Sequence, residues 1–161
     1  LEYCKLMKSR IYIFVFTFLL CSKTFAGSLQ IEAKNITLDK DKITTIFENN
    51  VVVKTKDKVI KSDYVKYNKK IGLLILKKNI IAQDFNNNTI TAENAEFNEN
   101  DEILKTIGPT NITTSENYLV KGNNIIIDNK KKIINSRKLT SIEDPEGNLI
   151  ELQNFEFQVE N

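Results

Sequence analysis

The sequence predicts an all-β protein assembled from stacked units of about 30 residues. Three observations carry this reading. Five stretches, 31–39, 60–68, 90–98, 120–128 and 150–158, align on one nine-residue template, with starts separated by 29, 30, 30 and 30 residues. Within the template the apolar residues alternate, which is the period of a β-strand. After residue 27 no stretch carries the 3.6-residue period of an amphipathic helix. A fixed repeat of this size marks supersecondary units that cannot bury an apolar face alone and must stack to do so. It argues against an enzyme, because no unit departs from the pattern to build a pocket.

The template columns define the elements. Position 1 is Ile31, Ile60, Ile90, Val120 and Ile150; position 3 is Ala33, Ser62, Ala92, Gly122 and Leu152, small in four of five units. Position 6 is Ile36, Val65, Ala95, Ile125 and Phe155, and position 8 is Leu38, Tyr67, Phe97, Ile127 and Phe157. Positions 1 and 3 have the opposite parity to 6 and 8. One side of a strand can hold all four only if an extra residue is inserted between the pairs. A β-bulge or corner is therefore expected at positions 4–5, where Asn35, Asn94, Asn124 and Asn154 recur, since Asn tolerates unusual backbone angles. Asp, Asn or Gln closes the template at position 9.

Each unit has a second half. Apolar segments 43–47 and 51–54 follow the first template, 73–76 and 80–82 the second, 103–107 and 112–114 the third, and 133–134 and 139–142 the fourth. Polar clusters at 48–50, 77–79 and 108–111 read as tight turns between these halves. Clusters at 56–58, 84–88, 115–117 and 144–148 end the units. The expectation is about three short strands per unit, the spacing of a sandwich or barrel.

Residues 7–26 read as a signal peptide. Met-Lys-Ser-Arg at 7–10 is a basic start, 11–20 is uncharged and apolar, and Thr24-Phe25-Ala26 is a cleavage-type ending. Cleavage after Ala26 would leave 27–161 as a single domain, with a possible truncation at its C-terminal end. The apolar run is about half of what a spanning helix needs, so an uncleaved anchor is the lesser reading. Residues 1–6 precede the only methionine, Met7, which points to translation from upstream of the true start or to a fragment. Cys21 invites a lipidation reading, but Leu19 and Leu20 stand where small residues are needed. Both cysteines, Cys4 and Cys21, precede residue 27, so the domain has no disulfide or thiol chemistry.

The formal charge of +2 comes from 23 basic and 21 acidic residues. Lys5, Lys8, Arg10, Lys23 and Glu2 belong to the leader, so 27–161 keeps 19 basic and 20 acidic residues and a charge of −1. No basic stripe for a nucleic-acid partner exists; the runs 69–70, 77–78 and 130–132 read as turn lysines in solvent. Histidine and tryptophan are absent. Without histidine or cysteine, Ser-His-Asp and Cys-His catalysis and the usual zinc ligand sets have no material. The carboxylate pairs Glu93/Glu96, Asp101/Glu102 and Glu143/Asp144 read as solvated turn and outer-face groups. No catalytic residue, metal ligand or cofactor is expected.

The repeated form Ile-x-Ala-x-x-Ile-x-Leu-Asp at 31–39 stands beside Ile-Lys-Ser-Asp-Tyr-Val-Lys-Tyr-Asn at 60–68 and Ile-Thr-Ala-Glu-Asn-Ala-Glu-Phe at 90–97. Between them lie Glu-Asn-Asn-Val-Val-Val-Lys-Thr at 48–55 and Lys-Lys-Asn-Ile-Ile-Ala-Gln-Asp at 77–84. Behind a signal peptide, over about residues 29–158, this pattern resembles the OstA-like domain. That family includes the periplasmic lipopolysaccharide-bridge protein LptA and the N-terminal domain of the outer-membrane translocon LptD. The resemblance implies an open, twisted β-jellyroll, a V-shaped stack of antiparallel strands, located in the periplasm at or bridging to the outer membrane of a Gram-negative bacterium. It implies lipopolysaccharide transport, with lipid A acyl chains shielded in an apolar groove and the sugars in solvent. Columns 6 and 8 would line that groove: Ile36, Leu38, Val65, Tyr67, Ala95, Phe97, Ile125, Ile127, Phe155 and Phe157. The partners implied are lipopolysaccharide and other OstA-like domains, joined end to end by strand pairing at 31–38 and 150–157.

Ending inside a fifth unit, the chain reads either as a stand-alone bridge protein or as the N-terminal piece of the translocon; a membrane-tethered adaptor would need residues 11–20 as an uncleaved anchor. Two other classes stand beside transport. A structural β-solenoid with a filled core and no lipid cargo would pack the same columns tightly. A carbohydrate-active β-solenoid would need acids breaking the repeat on one face, and none are seen.

Overall fold

Alternating apolar residues make each template segment a strand, and the segment between templates carries the same alternation back. The structure, a computed structural model, describes residues 29–40 and 42–158. The signal peptide read at 7–26 and its cleavage after Ala26 lie outside the described residues.

Thirteen strands form one antiparallel sheet, and no helix occurs among the described residues. The first template supplies β1 (Gln30–Glu32) and β2 (Asn35–Leu38), and β3 (Thr44–Lys54) returns against both. The second template is β4 (Lys58–Asn68), followed by β5 (Leu73–Asp84); the third is β6 (Thr89–Asn98), followed by β7 (Ile103–Thr113). The fourth is split into β8 (Leu119–Asn123) and β9 (Ile126–Asp128) and answered by β10 (Ile133–Ser136) and β11 (Thr140–Glu143). The fifth gives β12 (Leu149–Leu152) and β13 (Phe155–Gln158). The sheet is open. At one end β1 and β2 pair only with β3; at the other β12 pairs only with β11 and β13 only with β10.

The long strands correct one expectation. Residues 48–50, 77–79 and 108–111 do not reverse the chain. They bend β3, β5 and β7 at their midpoints, so a unit holds two long bent strands rather than three short ones. Asn49, Asn50, Lys78, Asn79 and Gly108 all take positive φ there (65°, 57°, 65°, 50° and 87°). On the facing template strands positions 4–5 form the expected corner, but the extra residue lies on the partner strand: 49–50 oppose only residue 63, and 78–79 and 108–109 each oppose only residue 93. The pairing register shifts between Lys61 and Tyr64 and between Ala92 and Asn94, and Asn124 and Asn154 take φ of 55° and 57°. A left-handed residue bends a strand as readily as it closes a turn, and the difference lies in what the flanking residues pair with.

Stacked bends divide the sheet into two leaves. The first contains β1, β8, β11, β12 and the adjoining halves of β3 to β7; the second contains β2, β9, β10, β13 and the other halves. Inward residues of both leaves, such as Val53 and Ile60 from the first and Val65 and Leu74 from the second, share one core. The leaves therefore close on each other along the bend, as the arms of a V.

Breaking the ladder at every bend frees backbone carbonyls, and short hydroxyl side chains capture them. Ser62 Oγ lies 2.9 Å from both Tyr64 O and Lys77 O, which share its single proton. Thr106 Oγ1 donates to Ile125 O at 3.2 Å and accepts from Ile125 N at 2.9 Å, and Ser136 Oγ donates to Asn123 O at 3.0 Å. Small residues recur at position 3 because they sit in the inner angle. At Gly122 an added Cβ would stand 3.0 Å from Thr140 Oγ1.

Candidate functional site

The antiparallel register aligns the template columns into four rows crossing the whole sheet. Position 1 continues as Ile31, Val53, Ile60, Ala82, Ile90, Ile112, Val120, Ile142 and Ile150. Position 3 runs through Val51, Ser62, Ile80, Ala92, Thr110, Gly122, Thr140 and Leu152 nearer the bend. On the second leaf, position 6 joins Ile36, Phe47, Val65, Leu76, Ala95 and Thr106, then Ile125, Ser136 and Phe155. Position 8 joins Leu38, Thr45, Tyr67, Leu74, Phe97, Leu104, Ile127, Ile134 and Phe157. The two leaves present these rows to each other, so the inner surface is mainly apolar, with the hydroxyls of Ser62, Thr106, Thr110, Ser136 and Thr140 interspersed.

The ten residues expected to line a groove fall on these last two rows, and their surroundings differ along the stack. Val65, Ala95, Phe97, Ile125, Ile127 and Phe155 are buried, and Tyr67 is half-buried. Ile36, Leu38 and Phe157 are 60%, 58% and 52% exposed. They occupy edge strands β2 and β13, where no further unit covers them. Ile150 and Leu152 end the first-leaf rows in the same exposed way on β12. In the middle of the stack the leaves touch: Ile60, Leu74, Leu76 and Ile125 are shut from solvent, and Phe97 is 2% exposed.

Polar groups line the mouth of the V, opposite the bend. Tyr67 donates its hydroxyl proton to Glu99 Oε1. Burial, then that hydrogen bond and the carboxylate charge, push its pKa up from 10.0 to about 12. Lys58, an inward residue one rung beyond Ile60, places its ammonium 5.5 Å from the centroid of the Phe97 ring on the opposite leaf. The turn cluster expected at 56–58 includes Lys58, yet the alternation Lys58, Ile60, Ser62 marks it as inward-pointing. Among the described residues no group of His, Cys, Asp or Glu is gathered to hold a metal ion.

The profile of the family described as "LptA/(LptD N-terminal domain) LPS transport protein" matches residues 30–133. No curated protein sequence matches the chain. Among solved structures, the chain is similar to LptH of Pseudomonas aeruginosa. That protein is described as the LptA homologous periplasmic component of the conserved lipopolysaccharide transport device. The TM-score is 0.61 at 12% identity, covering 78% of this chain and 94% of LptH, a likeness of fold.

Proposed function

Since the chain belongs to the LptA/LptD N-terminal domain family of lipopolysaccharide-transport proteins, we propose that it carries lipopolysaccharide through the periplasm with the lipid A acyl chains between its two leaves. The carrying observation is that four mainly apolar rows, interrupted only by glycine and short hydroxyl residues such as Ser62, Thr106 and Thr140, cross the sheet between two open edges, where Ile36, Leu38, Ile150, Leu152 and Phe157 are exposed. Acyl chains need an apolar surface of this length and breadth, and the polar mouth leaves the sugars in water. The edges serve assembly. β2 and β13 offer unpaired backbone groups beside exposed Ile36, Leu38 and Phe157, so a like domain adding a strand would extend the sheet and the apolar rows together.

Tight packing at the middle of the stack favours a second reading, a structural β-solenoid with a filled core. Transport requires the leaves to part there. A photo-crosslinking residue at Ile127, in cells making lipopolysaccharide, separates the two. Capture of lipopolysaccharide at Ile127 but not at the turn residue Lys69 is expected of a groove. A filled core would give no capture at either position.

A further inference from the structure

Lys58 is the one buried basic residue among the described residues, 5% exposed. It lies on the inner side of the first leaf at the mouth. Two groups hold its ammonium: Asp57 Oδ2 at 2.9 Å and the face of the Phe97 ring. Asp57 is itself fixed, accepting from Thr55 Oγ1 at 2.7 Å and, across the mouth, from Asn129 Nδ2 at 2.8 Å. Burial raises the pKa of Asp57, but Thr55 and Lys58 outweigh it and hold the carboxyl below its ordinary range. Through Asn129 and the Phe97 ring, Asp57 and Lys58 tie the rim of one leaf to the other directly above the apolar rows.

We propose that Lys58 is the residue by which this groove distinguishes an anionic amphiphile from a neutral one. The proposal rests on the transport reading above. An acyl chain lying against Phe97 must take the ring from the ammonium. An ammonium carries three donors, and Asp57 does not engage all of them. Released from Phe97, it remains at the mouth, where the headgroup of a cargo with buried tails would stand. A phosphate there replaces the ring with a charge-assisted hydrogen bond; a neutral headgroup leaves the displaced cation poorly compensated. With a charge of −1 over 27–161, the domain has no large field to attract anions by itself, so the discrimination is local to this side chain.

The test uses the full chain with a photo-crosslinker at Ile127 and two probes, phosphorylated lipid A and the same lipid A after phosphatase treatment. The intact chain is expected to capture the phosphorylated form roughly tenfold better, the size of one charged hydrogen bond. Lys58→Met keeps an unbranched apolar stem, removes the ammonium and should capture both forms equally. Lys58→Arg, which keeps the charge, should keep the preference. Circular dichroism confirms that each variant is folded, and Lys58→Arg carries the test should Lys58→Met fail to fold. Equal capture of both lipids by the intact chain, a preference that survives in folded Lys58→Met, or one lost in folded Lys58→Arg would overturn the role of Lys58 alone. Capture of neither lipid by any form would overturn the transport reading with it.

Discussion

Phe97 and Phe157 occupy the same register row in different units, so truncating each to alanine measures how the leaves close along the stack. Phe97 is 2% exposed, stands between Leu74 and Leu104 in register, and lies under the Lys58 ammonium. Removing its ring deletes a fully buried aromatic and leaves a cavity that neighbours on two leaves cannot easily fill, at a cost of about 3–5 kcal/mol. Loss of the cation–π contact adds about 0.5–2 kcal/mol and leaves Lys58 buried against Asp57 alone. Phe157 is 52% exposed on the last strand. Half of its surface is already in water, so truncation there should cost about 1 kcal/mol. Urea unfolding followed by far-ultraviolet circular dichroism reads the difference. With a slope of about 1–3 kcal/mol per molar urea, Phe97→Ala should lower the midpoint by about 2 M and Phe157→Ala by about 0.5 M. Equal shifts, or a cost below about 1 kcal/mol at Phe97, would mean that the leaves stand apart at the middle of the stack. The account of a closed groove would then be wrong.

Tyr67 binds its proton more tightly in the folded state, at about 12 against 10.0. The stability it lends is complete below pH 10, falls as pH rises towards about 12 and is gone above. The gap in urea midpoint between the native chain and Tyr67→Phe should shrink across that window, and a constant gap would place Tyr67 away from Glu99. Ser62→Ala strands the Tyr64 and Lys77 carbonyls at the bend and should cost about 1–3 kcal/mol; a neutral result would mean that water satisfies them. Phe157→Lys puts a charge on the exposed end of an apolar row without disturbing buried contacts. It should leave stability within about 0.5 kcal/mol of the native chain while abolishing the concentration-dependent association that the strand-addition proposal expects, with sedimentation velocity as the measurement. Association that survives the charge would move the assembly surface to the other edge or away from the edges altogether.

The repeat made the fold legible because a period near 30 residues ties every unit to the same strand, bend and turn. Once columns 1, 3, 6 and 8 are aligned, pairing neighbouring units produces the four rows, and the first and last templates become the edges. Residues 48–50, 77–79 and 108–111 were misread for a physical reason. Left-handed Asn, Lys and Gly suit a hairpin and a mid-strand bend equally, and only cross-strand pairing tells them apart. The hydroxyls of Ser62, Thr106 and Ser136 were a signal of the bend, since a polar residue at an inward position needs a backbone partner to satisfy it. Closure of the leaves was not legible at all. Leu74, Phe97 and Ile125 have the same composition whether they face each other or an acyl chain, because apolar burial is non-directional. That ambiguity is also what the transport reading requires. A surface that packs on itself when empty keeps its apolar rows out of water, yet yields them to any chain that replaces the same contacts. The energy of opening is then set by the few directional contacts that cross the mouth, Asp57 with Asn129 and Lys58 with Phe97, rather than by the rows themselves.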